Sequence, residues 1–254
     1  ENFDIEEELE LAKAEGESVE EEIVDQFISE EELDDIVEEP EESEEEPEEE
    51  IVEAVSEEEK TRYLEQIDKR ASHIPLQHLT GHQEFMGLDF QVSEDVLVPR
   101  QDTEVLVEEA LKYVHSGMKL LDMCTGSGCI LLSIVKLAAE LNGCKEVTGT
   151  GVDLSEKALK IAQENRRTLG MEQTTALLQS DLFEQVNGTY DMIVSNPPYI
   201  ASEVITTLSE EVKDHEPVMA LDGGTDGLDF YRVIIEKSPS YLTLGGMLFL
   251  EIGY

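Results

Sequence analysis

Five short segments between residues 119 and 252, most of them apolar, have the length of buried β-strands. They are separated by segments long enough to hold helices or loops. We predict strands over 119–123, 147–152, 176–179, 190–194 and 247–252.

Helical spacing of apolar residues fills several of the intervals between these runs. The pattern predicts a helix over Cys129–Leu141, one that Ser155 caps and that runs to about Leu169, and one near Phe230–Ser238. Strands that alternate with helices form a parallel sheet with both faces covered, and the crossovers are right-handed. We therefore predict a doubly wound α/β domain with a mostly parallel, Rossmann-like sheet. Its ligand should lie at the carboxyl ends of the strands.

Residues 56–100 have a different pattern, which predicts a connector ahead of the large domain at 101–254. A helix over 57–72 stops before Pro75 and has one apolar face, formed by Tyr63, Leu64 and Ile67.

The rest of the connector, 78–100, predicts a turn at Gly81 followed by short strands. Asp102 can cap the helix that follows. The inner side of that helix is expected to comprise Val105, Leu106, Ala110, Leu111 and Val114.

The first part of the chain, 1–55, is dominated by acidic residues. Residues 1–60 hold 31 acidic and 2 basic residues, out of totals of 61 and 17. The run at 38–50 has almost nothing to bury and repels itself, which is typical of disorder. Helical spacing earlier in the segment predicts one or two short amphipathic helices. The segment is either a solvated tail or a docking surface for a basic partner.

Composition excludes several classes of protein. The net charge of −44 disfavours a bulk nucleic-acid binder, because phosphate backbones are bound mainly by Lys and Arg. Three cysteines without a CxxC pair disfavour a disulfide framework and a structural zinc site. The sequence has neither an apolar run of membrane-spanning length nor a secretory leader. We expect a soluble, cytoplasmic protein, and the first residue, Glu1, suggests a trimmed piece of a longer one.

The first motif is LLDMCTGSGCI, residues 120–130. A strand ends at Asp122, and the loop Cys124, Thr125, Gly126, Ser127, Gly128 leads into a helix. Glycines in such a loop let the backbone approach a ligand closely, and the helix amides favour its negative end. The alternative interpretation is an ordinary tight strand-to-helix turn.

The second motif is GTGVDLS, residues 149–155, in which Asp153 ends the second strand. A carboxylate at this position can accept hydrogen bonds from both hydroxyls of a ribose. The alternative role is a helix cap, for which Ser155 is already suited. Together with the glycine loop, Asp153 indicates a ligand that contains adenosine.

The third and most specific motif is SNPPYI, residues 195–200, directly after the apolar run YDMIV. Two consecutive prolines fix φ and remove two amide donors. The carbonyl oxygen of Pro197 and the side-chain oxygen of Asn196 then form a rigid pair of acceptors that suits a planar NH₂ group. Pro198 completes the turn, and Tyr199 can cover the plane of that group.

This pair of acceptors predicts methyl transfer to an amide or amino nitrogen. Holding both hydrogens of the group turns the nitrogen lone pair toward an electrophile, and a sulfonium methyl group is already activated. Alignment of the reacting atoms can contribute about 7–11 kcal/mol. We expect neither a charged general base nor a metal ion.

The motifs, in this order, resemble those of the protein-(glutamine-N5) methyltransferases that modify peptide chain release factors. The resemblance runs from about residue 57 to the end of the chain. Besides the three motifs above, it is carried by QHLTGHQEF (77–85), VLVPRQDTEVLVEEAL (96–111), SDLF (180–183) and HEPVMALDGGTDGLDFYR (215–232).

The resemblance implies a role for each matching position. S-adenosylmethionine is the expected cofactor, bound by Cys124 to Gly128, by Asp153 at the ribose, by Leu182 at the adenine and by Asn196. The acceptor glutamine of a release factor would be bound by Asn196, Pro197, Pro198 and Tyr199, of which Asn196, Pro197 and Tyr199 would be catalytic. Arg100 belongs to a matching segment without an assigned role, and an ion pair with Asp102 or Glu104 is its ordinary interpretation.

Two departures from the family are expected to matter. Members begin with a helical domain, of which only the last helix, at 57–72, is recognisable here. They also continue beyond the fifth strand into an antiparallel hairpin, whereas this chain stops at EIGY. The domain at 101–254 is therefore expected to be truncated, with an uncovered strand edge.

Three rival functions remain open at this stage. An N6-adenine or N2-guanine nucleic-acid methyltransferase could use the same Asn-Pro-Pro-Tyr geometry on a flipped base, although the acidic balance counts against it. A ribosomal-protein glutamine methyltransferase is a nearer alternative. The chain could also be a non-catalytic interaction module, which the intact site residues disfavour. We expect a release factor as partner, with neither a membrane nor a nucleic acid.

Overall fold

The structure, a computed structural model, describes residues 55–253. A two-stranded hairpin precedes a five-stranded sheet. The hairpin consists of β1 (His82–Phe85) and β2 (Leu88–Gln91), and the sheet of β3 (Lys119–Met123), β4 (Thr148–Asp153), β5 (Thr175–Gln179), β6 (Tyr190–Ser195) and β7 (Leu242–Leu250). The predicted acidic segment lies outside the described residues apart from Val55, and the domain bounds remain a prediction.

The five-stranded sheet has the order β5-β4-β3-β6-β7, and every neighbouring pair is parallel. This confirms the predicted doubly wound, Rossmann-like fold. All five predicted strands occur, and β7 begins at Leu242, earlier than the expected Met247. In the described residues β7 is an edge of the sheet, and its Leu244 is fully exposed.

Helices precede the five-stranded sheet and connect several of its strands. They are α1 (Glu57–Ala71), α2 (Leu76–Thr80), α3 (Gln101–Leu111), α4 (Cys129–Glu140), α5 (Glu156–Thr168), α6 (Ser202–Ile205), α7 (Glu210–Lys213), α8 (Val218–Leu221) and α9 (Asp229–Lys237). The predicted helices that fall in the described residues are confirmed, most of them to within one or two residues at each end, whereas those predicted in 1–55 lie outside the described residues. The short helices α2, α6, α7 and α8 were not predicted.

The predicted N-cap of α3, Asp102, was wrong. The residue before the helix is Arg100, in extended conformation and without a side-chain cap, whereas Asp102 lies in the first turn. Val105 is 58% exposed rather than on the inner side. The other four residues of that side are buried or half-buried.

Adjacent residues of the central strand β3 belong to different cores. Leu120 packs in the cluster that contains α3 and α4, whereas Leu121 packs with Phe183 and Ile234. Because successive side chains of a strand alternate between faces, this is the arrangement of a sheet buried on both sides.

In the connector before the sheet, the structure confirms the predicted turn at Gly81. This glycine has φ +80° and precedes the β1–β2 hairpin. α1 begins with a capping box in which Ser56 and Glu59 bond each other's backbone amides. Its predicted apolar face is not buried in the described structure, since Tyr63, Leu64 and Ile67 are 65%, 53% and 46% exposed. No helix of the described residues is long and apolar enough to cross a membrane.

Candidate active site

A cavity of about 440 Å³ opens at the carboxyl ends of the central strands. The strand register explains its position, because Met123 at the end of β3 lies beside both Val152 of β4 and Ser195 of β6. The loops that leave these strands therefore meet at one edge of the sheet. Eight of the residues predicted from sequence line the cavity: Cys124, Thr125, Gly126, Ser127, Asp153, Leu182, Asn196 and Pro198.

Three predicted residues do not line the cavity: Gly128, Pro197 and Tyr199. Gly128 lies behind the loop with φ +82°, and a Cβ atom there would stand 3.1 Å from Leu132 Cδ1. The same Cβ atom would stand 3.4 Å from Ala162 Cβ, so a glycine here allows α4 to begin close to α5. Pro197 is buried next to the cavity-lining residues.

The loop after β3 is held by its backbone. The amide of Thr125 donates to the Val152 carbonyl at 2.9 Å, and the amide of Gly128 donates to the Thr125 carbonyl at 2.8 Å. Cys124 adopts φ +61°, a left-handed conformation that costs a non-glycine residue about 1–2 kcal/mol. The fold therefore imposes the path of the loop.

Asp122 at the end of β3 orders this loop from beneath. It is fully buried, and its Oδ2 accepts a hydrogen bond of 2.6 Å from the Thr125 hydroxyl. Burial raises the pKa of Asp122 to about 7, against the opposing effect of the Thr125 hydrogen bond. The sequence shows this residue as a carboxylate at a strand end, but its partner becomes evident only in the structure.

Asp153 joins the loop to the next crossover. Its Oδ2 accepts from the Gly126 amide at 2.9 Å, and its Oδ1 accepts from the Ser155 amide at 2.9 Å. Burial raises the pKa of this carboxyl group. The cap of α5 is Ser155, whose hydroxyl accepts from the Ala158 amide, so the helix-cap interpretation of Asp153 is wrong. Each carboxylate oxygen retains a lone pair for a further donor.

Leu182 lies on the same wall of the cavity, after β5. It has φ +45°, and its carbonyl accepts a hydrogen bond of 2.9 Å from the Ser180 hydroxyl. The amide of Ser180 in turn donates to the Asp153 carbonyl at 3.0 Å. These two bonds hold Leu182 near Asp153.

Asn196 follows β6 directly and enters the cavity. The strand end is fixed because the Ser195 hydroxyl donates to the Met123 carbonyl at 2.5 Å. The Asn196 Nδ2 atom donates to the hydroxyl of Thr103 at 3.3 Å. Thr103 also lines the cavity and was not predicted as a site residue.

The segment 221–230 packs against the Asn-Pro-Pro-Tyr turn. The amide of Ile200 donates to the Leu221 carbonyl at 3.0 Å, and the amide of Gly223 donates to the Ile200 carbonyl at 2.8 Å. A Cβ atom on Gly227 would stand 2.3 Å from the Tyr199 carbonyl oxygen. The glycines of this segment are therefore needed for its close approach to the turn.

Arg100 pairs with Glu216, so both ion-pair partners predicted from sequence were wrong. The Glu216 side chain is 1% exposed, and that of Arg100 is 46% exposed. Burial raises the pKa of Glu216, and the Arg100 guanidinium opposes this rise. Residues 217–220, next to Glu216, line the cavity on the same side as Arg100. The pair thus ties the start of α3 to one wall of the cavity.

Comparison with known proteins places the chain among methyltransferases. Residues 100–214 match the family described as methyltransferase small domain. The release factor glutamine methyltransferase of Clostridium acetobutylicum is 42% identical over 204 residues, which cover 78% of this chain and 70% of that protein. The enzyme of the same name from Geobacter sulfurreducens is 46% identical over 188 residues, which cover 74% of this chain and 63% of that protein.

The chain is also similar to solved structures. The SAM-dependent methyltransferase from Agrobacterium tumefaciens is 19% identical, with a TM-score of 0.46, over 68% of this chain and 53% of that chain.

Proposed function

This chain belongs to the release factor glutamine methyltransferase family, and we propose that it transfers a methyl group from S-adenosylmethionine to the side-chain amide nitrogen of a glutamine in a peptide chain release factor. The observation that supports this most directly is that one cavity is lined by the glycine loop, Asp153 and Asn196. This arrangement supports a site in which the nucleoside part of the cofactor and the acceptor amide would lie side by side. Because release factors work on the ribosome, we propose that the reaction takes place in the cytoplasm.

The cavity fits the cofactor in size and chemistry. Its volume of about 440 Å³ lies in the range of sites for compact organic ligands. Asp153 would accept hydrogen bonds from the ribose hydroxyls through the lone pairs that Gly126 and Ser155 leave free. Leu182 would cover the adenine, and the loop at 124–128 would hold the amino-acid part. S-adenosylmethionine supplies a methyl group that its sulfonium centre already activates.

The acceptor side of the site is formed by the turn after β6. The Asn196 side-chain oxygen and the Pro197 carbonyl oxygen would accept the two hydrogens of the glutamine NH₂ group. Tyr199 and Pro198 would limit its movement. An amide nitrogen is a weak nucleophile, so the contribution of these residues is to orient its lone pair and hold it near the methyl group, an effect worth about 7–11 kcal/mol.

Once methylated, the amide nitrogen has an excess proton that is strongly acidic. Water can take this proton, so the reaction needs no charged base at the nitrogen before transfer. The catalytic role of Asn196 is therefore positional, and its substitution should affect turnover more than cofactor affinity.

A transfer assay with several acceptors tests the proposal. The full chain is incubated with methyl-labelled S-adenosylmethionine and, separately, with release factor, ribosomal proteins, DNA or RNA. We expect label in the release factor only, with a mass increase of one methyl group on one glutamine. Label in ribosomal protein or nucleic acid alone would contradict the proposed substrate, and absence of label in every acceptor would contradict the activity.

A further inference from the structure

The carboxamide of Asn196 has two chemically different ends, and the proposed function requires one orientation. An amide oxygen facing the acceptor can accept a hydrogen from the glutamine NH₂ group, whereas an NH₂ end in the same place would repel it. The two prolines that follow Asn196 have neither an N–H group nor a polar side chain with which to distinguish the two ends. The distinction has to come from residues packed against Asn196.

Thr103 is the first of these residues. It lies in the first turn of α3, is 3% exposed and lines the same cavity as Asn196. Its hydroxyl oxygen accepts a hydrogen bond of 3.3 Å from Asn196 Nδ2. The amide of Thr103 donates to the Arg100 carbonyl at 3.1 Å, so the helix start fixes its position.

Glu251 is the second residue, and its backbone is held on both sides. Its amide donates to the Ser195 carbonyl at 3.0 Å, and its carbonyl accepts from the Tyr231 hydroxyl at 2.7 Å. The first bond places Glu251 beside the residue that precedes Asn196. The position of this carboxylate is therefore set by the same strand end that carries the Asn-Pro-Pro-Tyr turn.

The carboxylate of Glu251 interacts with both Thr103 and Asn196, and these contacts lower a pKa that burial raises. Its Oε2 atom is buried and has no hydrogen-bond partner within residues 55–253. A carboxylate only accepts hydrogen bonds. The Thr103 hydroxyl and the Asn196 NH₂ group are the donors that lie against it.

We propose that Thr103 and Glu251 are positioning residues that hold the NH₂ end of Asn196 and so turn its oxygen toward the acceptor amide. In this arrangement the Thr103 hydroxyl accepts from the Asn196 NH₂ group, and its own hydrogen would be directed toward the Glu251 carboxylate. With the opposite orientation, the Asn196 oxygen would face a carboxylate that cannot donate, and the single hydroxyl hydrogen of Thr103 could serve only one of the two oxygens. This inference rests on the proposed function, because it assigns the orientation that glutamine binding requires.

Variants of Thr103 in the full chain test the inference. Thr103→Val removes the hydroxyl group at nearly constant volume, and Thr103→Ser retains it. We expect Thr103→Val to lower kcat about tenfold, as for the loss of one hydrogen bond of ordinary strength, while the Kd for S-adenosylmethionine changes less than twofold. Thr103→Ser should recover most of the lost kcat. If Thr103→Val fails to fold, Thr103→Ala serves as the second variant.

Ser133→Ala is the matched control. Ser133 is also fully buried on a helix of the domain, and its hydroxyl makes no hydrogen bond within the described part of the chain. We expect this variant to retain the wild-type kcat. The side-chain NH₂ signal of Asn196 in a ¹⁵N-labelled sample gives a readout besides activity, since its hydrogen exchange should be faster in Thr103→Val than in the wild type.

A double substitution tests whether the two residues act as one unit. Glu251→Leu should also lower kcat about tenfold, and adding Thr103→Val should lower it little further, because residues of one network are not additive. A kcat within twofold of the wild type in Thr103→Val, or equal losses of kcat and cofactor affinity, would overturn the inference. If the wild type itself transfers no methyl group to release factor, the proposed function fails, and the inference falls with it.

Discussion

Gly223 lies directly against the backbone of Tyr199. A Cβ atom at position 223 would stand 2.7 Å from the Tyr199 Cα atom and 2.8 Å from the Pro198 carbonyl oxygen. These are backbone atoms, so the overlap cannot be relieved by moving a flexible side chain. The shape of the acceptor turn and the small size of residue 223 are therefore coupled.

Gly223→Ala should displace the acceptor turn. We expect kcat to fall at least tenfold and the free energy of unfolding to fall by about 1–3 kcal/mol, as for an overpacked site. Thermal unfolding and the transfer assay measure the two effects. Gly143→Ala is the control: Gly143 has φ +64° in open space, so its substitution should cost about 1 kcal/mol of stability without loss of activity. Equal kcat in both variants would contradict the coupling.

Asp153→Asn should weaken cofactor binding. The amide can keep one of the bonds from the Gly126 and Ser155 backbones, but it is a weaker acceptor for ribose hydroxyls than a carboxylate. We expect the Kd for S-adenosylmethionine, measured by calorimetry, to rise about tenfold or more. Asp191→Asn is the matched control, because Asp191 bonds the Lys119 amide and the Thr243 hydroxyl at the opposite end of the sheet. Similar affinities for both variants would remove Asp153 from the cofactor site.

Arg100→Ala should act through the buried partner of Arg100. Burial raises the pKa of Glu216, and the positive charge of Arg100 lowers it. Without the guanidinium, the pKa of Glu216 therefore rises further. At neutral pH the unpaired, buried carboxylate of Glu216 lowers the stability of the folded variant. Protonation of Glu216 at lower pH removes this destabilisation. We expect the difference in Tm between wild type and variant to be largest near pH 8 and to shrink toward about pH 5. A difference independent of pH would show that the ion pair is not its cause.

Asp122 should also make the folded protein less stable as the pH rises. Its pKa in the folded protein is about 7, which is above the ordinary value for Asp. Its contribution to stability is complete below the unfolded pKa of about 4 and is lost as the pH rises through about 7. Asp122→Asn removes this titration. We expect the Tm of the wild type to fall more steeply than that of the variant between about pH 5 and pH 8, and parallel curves would exclude the effect.

The sequence predicts the central strands β3 and β6 well because both are buried almost throughout and read as nearly continuous apolar runs. β7 is the exception: its first half contains Gly245 and Gly246, so the apolar signal begins only at Met247. The helices α6, α7 and α8 have four residues each and are too short to show a helical period.

Site residues can be predicted from sequence where a local motif contains them. Contacts between segments that are distant in sequence cannot be predicted in this way. The glycine loop, Asp153 and Asn196 each lie at the carboxyl end of a strand. The parallel topology of the sheet therefore places them close together. The partner of Arg100 is 116 residues away, and the nearby carboxylates of Asp102 and Glu104 were therefore the natural but wrong expectation. Thr103 was missed for the same reason, since its link to Asn196 spans 93 residues.

The central claim is that the Asn196 side chain binds the amide of a glutamine beside the cofactor. Asn196→Ala is the most direct test, with the mass of the acceptor peptide from release factor and the Kd for S-adenosylmethionine measured on the same sample. We expect the wild type to add one methyl group to one glutamine, and the variant to add none while its Kd stays within about twofold, because the main loss is the contact to the acceptor amide and the loop at 124–128 and Asp153 still hold the cofactor. Methylation by the variant at the wild-type rate, or loss of cofactor binding together with activity, would contradict the claim.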